Sequence, residues 1–212
     1  MPSVRGIFLG LGMVALAAGS APARADLSAC VATVGFGDKA NLARSPGVGL
    51  RWGASSRLVG GETSLLVTRP ERRVEVPGQG VVKETATALF YEGRLLVNIP
   101  AGQLKPFVGV GLGAVTVTAT DLTVPAGSSE TVVKALDTIS ELQTNTSLSY
   151  GGGLRYAFSP RLDVRADARR YVVLSVRGLA ARELENQTGV EVPGDKDTVT
   201  YDELSLGVSF AF

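Results

Sequence analysis

Near the end of the chain, "ELSLGVSFAF" sets apolar Leu204, Leu206, Val208, Phe210 and Phe212 against Glu203, Ser205, Gly207, Ser209 and Ala211 in alternation. A period of two puts one set on each face of a β-strand. The same alternation recurs upstream and predicts eight strands, over 29–36, 46–54, 58–68, 84–98, 106–119, 145–158, 161–174 and 200–212. The prolines beyond residue 25 (positions 46, 70, 77, 100, 106, 125, 160 and 193) fall at strand ends or in connections, where a missing backbone N–H does not break a ladder.

The connections alternate in length. Those after the second, fourth and sixth strands are short: "SSR" at 55–57, "IPAGQLK" at 99–105 and "SP" at 159–160. The others span about 9 residues at 37–45, about 15 at 69–83 and about 25 at both 120–144 and 175–199. Tight turns at one end and long loops at the other characterise outer-membrane barrels. The expected fold is therefore all-β: a closed eight-stranded antiparallel up-and-down transmembrane β-barrel. Within the 120–144 loop, "SSETVVKALDTISELQ" places Val132, Leu136 and Ile139 at helical spacing. That segment reads equally as a short amphipathic helix or as an extension of the fifth and sixth strands.

Orientation follows from the seventh strand, "LDVRADARRYVVL", where Asp163, Arg165, Asp167 and Arg169 share one face. An arginine turned toward the bilayer midplane would cost about 2–4 kcal/mol, so this row is assigned to the interior. The same bookkeeping turns Arg51, Glu62, Glu92, Arg94, Arg155 and Glu203 inward, giving five arginines and five carboxylates. In a lumen of low dielectric each ion needs an opposite partner, and eight strands leave room only for side chains. An interior ion-pair network that plugs the barrel is expected. Gly109, Gly111, Gly113, Gly151 and Gly153 fall on the inner face, where small residues make room for long neighbours and allow curvature. Leu66, Phe90, Val115 and Val117 turn inward nearer the long loops. Trp52, Tyr156 and Phe158, with Phe210 and Phe212, turn outward near the short turns, as a periplasmic aromatic girdle.

The N-terminus carries Arg5, an apolar or small run from Ile7 to Ala18, and Ala23-Arg24-Ala25 ahead of Asp26. The run is too short for the roughly 20 residues of a spanning helix and ends in a small-x-small pattern, so residues 1–25 read as a cleaved secretory signal peptide and 26–212 as one barrel domain. Removing them takes Arg5 and Arg24 and no acid, leaving a formal charge of −1. No basic excess points to nucleic acid. Cys30 is the one cysteine, so no intrachain disulfide is available. Its context "LSAC" looks like a lipobox, yet Arg24 and Asp26 separate it from the apolar run.

At the C-terminus, Ser205, Gly207, Phe210 and Phe212 of "SLGVSFAF" resemble the assembly signal of bacterial outer-membrane barrels. "KPFVGVGLGA" (105–114) and "YGGGLRYAFSPRLDVRADARRY" (150–171) are similar to hairpin strands of small OmpA-like and OmpW-like barrel domains. The resemblance implies insertion by the barrel assembly machinery through the last strand, and residence in an outer membrane containing lipopolysaccharide. OmpW-like barrels are associated with uptake of small hydrophobic molecules, and no motif here carries that property over.

Catalysis is not expected. Some small barrels of this kind act on lipids through a histidine general base beside a serine, and this chain has no histidine, which removes the usual activator of a hydroxyl nucleophile and the commonest nitrogen ligand for a metal. No catalytic residue, metal site or cofactor is assigned. The expected role is structural or one of surface interaction, as a monomer; the alternative is a narrow channel or binding barrel for small molecules. In "TRPERRVEVPGQGVVK", Arg69, Arg72, Arg73 and Lys83 are suited to lipopolysaccharide phosphates.

Overall fold

In a computed structural model, residues 24–37, 40, 42–76, 80–119, 143–174 and 198–212 are described. They form β1 (Arg24–Phe36), β2 (Ser45–Ser55), β3 (Val59–Thr68), β4 (Glu71–Val76), β5 (Gly80–Asn98), β6 (Leu104–Ala119), β7 (Gln143–Ala157), β8 (Leu162–Leu174) and β9 (Val199–Ala211). Each pairs antiparallel with its neighbour, in the order β3-β2-β1-β9-β8-β7-β6-β5-β4, and a further β3–β5 pairing closes the sheet. The result is a closed eight-stranded barrel, because β3 and β4 lie in succession along the same partner strand. Closure leaves no open sheet edge around the wall, which is what a strand-built membrane span requires.

The break between β3 and β4 corrects the expected loop at 69–83. Pro70 has no N–H to donate, so the strand is interrupted at Arg69-Pro70. The Pro70 carbonyl still accepts from Ala86 N at 3.0 Å, and β4 then resumes against β5, from Glu71↔Thr85 to Val76↔Gly80. The valines of "RRVEV" and "GVVKET" and the intervening "PGQG" are a hairpin signal that the loop assignment missed.

The first strand also begins earlier than expected, at Arg24 rather than residue 29. It takes in Arg24 and Ala25, placed in the signal peptide by the sequence; residues 1–23 lie outside the described residues. The first and last strands pair from Asp26↔Ala211 to Phe36↔Tyr201, and Phe212 N donates to Ala25 O at 3.0 Å. The segment with helical spacing behind Ser129 lies outside the described residues, as does most of the 175–199 connection.

The three short turns share one end. Ser56 closes the first, with its N–H and its hydroxyl both donating to Val59 O. Gly102 supplies the positive φ of 68° in the second, a conformation that glycine adopts without steric cost. In the third, Ser159 Oγ accepts from Leu162 N at 3.1 Å.

Candidate functional site

Inside the barrel, alternation along seven strands brings five arginines and five carboxylates into one buried layer: Arg51, Arg94, Arg155, Arg165 and Arg169 with Asp26, Glu62, Glu92, Asp167 and Glu203. Asp167 sits at its centre. Its carboxylate accepts from Arg165 Nε at 2.6 Å, Arg51 Nη1 at 2.8 Å, and Arg94 and Arg169 at 3.4 Å. Glu62 is a second hub, bonded to Arg165, accepting from Arg169 at 3.3 Å and Arg94 at 3.4 Å, and 3.7 Å from Arg155. Glu203 takes Arg51 at 2.7 Å and the Tyr171 hydroxyl at 2.6 Å. Glu92 takes Arg169 at 2.7 Å and the hydroxyls of Ser64 and Ser149. Two or more charge-assisted hydrogen bonds to each of Glu62, Glu92, Asp167 and Glu203 offset desolvation costs of several kcal/mol per ion, while Asp26 and Arg155 share a single one. Equal numbers of the two signs leave the layer neutral.

Nine of the ten residues assigned to this network from sequence are buried in it. Asp163 is the exception. It is half-buried at the short-turn mouth, one row beyond the last interior arginine, and Asp26 takes its place by pairing with Arg155 at 3.0 Å. Asp26 escaped notice because β1 was started after it; extending the alternation of Ser28 and Cys30 back two residues finds it. Phe107, Tyr171, Ser64 and Ser149 were also missed, although each shares the inner face of an assigned strand, and Ser205 was assigned to the C-terminal signal alone. Phe107 lies under two guanidinium groups, with Arg165 Cζ 4.6 Å and Arg155 Cζ 5.3 Å from its ring centre, which is cation–π distance.

Glycine makes this crowding possible at Gly111 and Gly153. A Cβ on Gly111 would lie 2.5 Å from Ser149 Oγ, 2.6 Å from Arg94 Cγ and 2.8 Å from Glu92 Oε2, and one on Gly153 would lie 2.7 Å from Phe107 Cζ. Gly111→Val is accordingly expected to destabilise the barrel by about 1–3 kcal/mol through overpacking. Urea unfolding in micelles reads this directly, and an unchanged midpoint would mean that Arg94 is not held where the structure puts it.

Toward the long-loop end the lumen turns apolar. Ala32, Val34, Leu66, Ala88, Phe90, Val115, Tyr171, Val173 and Tyr201 form a buried cluster, with Val117 partly buried against it. Rings fill its centre: Phe90 stands 5.0 Å from Tyr171 and 5.8 Å from Tyr201, and Phe36 stands 5.0 Å from Tyr201, centre to centre. The charged layer is thus covered by packed side chains on the loop side.

The outer wall is the reverse. Val31, Val48, Val110, Leu112, Leu204 and Leu206 are all more than half exposed, a surface that calls for a nonaqueous surrounding. Trp52, Tyr156, Phe158, Phe210 and Phe212 are exposed on it toward the short turns, with Trp52 and Phe210 both opposite Leu27. Among the C-terminal residues, Ser205 faces inward and accepts from Arg51 Nη2 at 2.6 Å, while Phe210 and Phe212 face outward. Cys30 is a free, buried thiol on the inner face. An acyl chain on it would have to leave the lumen, so the fold does not support the lipobox likeness.

The sequence matches a family model described as an outer membrane protein beta-barrel domain, over residues 6–212. No curated protein matches it. Among solved structures, the Neisserial surface protein A (NspA) is similar at 16% identity and a TM-score of 0.60, covering 89% of this chain and 97% of that one. Ail, the attachment invasion locus protein of Yersinia pestis, in complex with the heparin analogue sucrose octasulfate, has 15% identity and a TM-score of 0.49, over 90% and 97% of the two chains. The N-terminal barrel domain of Pseudomonas aeruginosa OprF has 15% identity and a TM-score of 0.46, over 90% and 100%. At such identities the likeness to NspA is one of fold.

Proposed function

Because the chain belongs to the family of outer membrane protein beta-barrel domains, and so to the outer membrane, we propose that it serves there as a closed, non-catalytic barrel with a structural or surface-interaction role. The observation carrying this is the lumen itself, filled by a continuous arginine–carboxylate layer beneath packed aromatic rings. Among the described residues such an interior leaves no water column, its one thiol, Cys30, is buried, and the chain has no histidine to activate a nucleophile. Planar-bilayer recording of the refolded protein at neutral pH is expected to show no resolvable channel steps. Steady unitary conductance would sink the closed-barrel role in favour of a narrow channel for small molecules.

Export proceeds through removal of residues 1–25, and insertion through recognition of Ser205, Gly207, Phe210 and Phe212 by the barrel assembly machinery, giving a monomer. The surface partner is lipopolysaccharide. Its phosphates would be met by the basic stretch from Arg69, which is exposed just beyond β3, through Arg72, Arg73 and Lys83, by charge-assisted hydrogen bonds. Arg72→Ala combined with Arg73→Ala is expected to weaken lipopolysaccharide binding by the purified protein, and an unchanged affinity would dismiss the contact.

A further inference from the structure

We infer that the short-turn mouth of the barrel holds a small dianionic oxyanion of the phosphate class. A cavity of about 300 Å³ opens there, lined by Arg24, Arg57, Lys105 and Arg155 against two carboxylates, Asp26 and Asp163. Four cations facing two acids leave an excess of two positive charges, the complement of a phosphate or phosphate monoester near neutral pH. The proposed removal of Arg24 does not change this count, because cleavage after Ala25 would place an α-ammonium on Asp26 at the same mouth.

The local pairing sharpens the point. Lys105 is the direct cross-strand partner of Arg155 on the β6–β7 ladder, and like charges directly opposite one another are destabilising unless something lies between them. Among the described residues Lys105 has no carboxylate within ion-pair distance, and neither has Arg57. Asp26 is already taken by Arg155 at 3.0 Å, and Asp163 alone remains against Lys105, Arg57 and Arg24. Arg155 is itself more than nine-tenths buried, and its Nε has no hydrogen-bond acceptor. Ser55, Ser56 and Asn98 add neutral polar groups to the lining. The cavity is therefore polar, small, roofed by the ion-pair layer and short of negative charge, whereas the layer above it is balanced.

Calorimetric titration of the protein extracted from membranes, with inorganic phosphate at low ionic strength, tests this. Saturable binding at one site is expected, weakened at least about tenfold in Lys105→Gln with Arg57→Gln, as the loss of charge-assisted bonds requires. Both residues are exposed, so the variant should fold. Arg44→Gln, an exposed arginine at the opposite end of the barrel, should bind as the parent does. Glycerol phosphate binding like phosphate would extend the class to monoesters, while acetate binding equally well would overturn the preference for a dianion. No saturable binding, or equal binding by the Lys105/Arg57 variant, would overturn the site. Failure here leaves the closed-barrel role standing, because that role is read from conductance.

Discussion

Asp167→Ala is expected to destabilise the barrel by about 3–5 kcal/mol, the cost of leaving buried charge uncompensated. The size follows from what the carboxylate touches. Four arginines converge on it within 3.4 Å, its side chain is fully shielded from solvent, and its loss leaves five buried arginines facing four carboxylates. Arg51 would keep Glu203 and Arg165 would keep Glu62, so the barrel should still close, but with a net positive lumen. Unfolding by guanidinium in phospholipid vesicles reads the loss. Adding Arg51→Leu to Asp167→Ala should recover part of the stability by restoring charge balance, although each change alone is harmful. A cost below about 1 kcal/mol for Asp167→Ala would match a solvated surface pair and would mean that water reaches the layer.

On the other face, Val110→Arg is expected to cost about 2–4 kcal/mol, whereas the same substitution at Leu104 should cost about 0–1 kcal/mol. Both side chains are exposed on β6, at 61% and 45%. They differ in height, since Leu104 begins the strand beside the second short turn and Val110 lies about three two-residue pleat repeats above it. In water the two positions would respond alike, because exposed surface substitutions fall within about 0.5 kcal/mol. Only hydrocarbon, deepest at mid-height, produces a gradient. Equal effects at Leu104 and Val110, measured by unfolding in vesicles, would remove the claim that this wall meets acyl chains.

The two predictions use opposite faces of one alternating pattern, and that pattern was largely legible. Asp163, Arg165, Asp167 and Arg169 occupy every second position of β8, so three of them enter the lumen together whatever the neighbouring strands do. Strand number, the three short turns and the outward aromatics were readable for the same reason, because each depends on a few consecutive residues. Boundaries were less so. Arg69-Pro70 looked like the start of a loop, since proline ends a strand locally, yet β5 offers the same ladder beyond it and β4 resumes.

What the sequence determined by itself was orientation: the side of the wall on which each residue stands follows from the two-residue period of an extended backbone and needs no partner. What only the tertiary structure decided was who meets whom. Register around the closed barrel brings Asp26 to Arg155 across 129 positions of chain, leaves Asp163 at the mouth, and gathers four arginines on Asp167. Those distances depend on how far each strand is staggered against the next. That stagger is settled by closing all eight staves at once and is written in no single stretch of the chain.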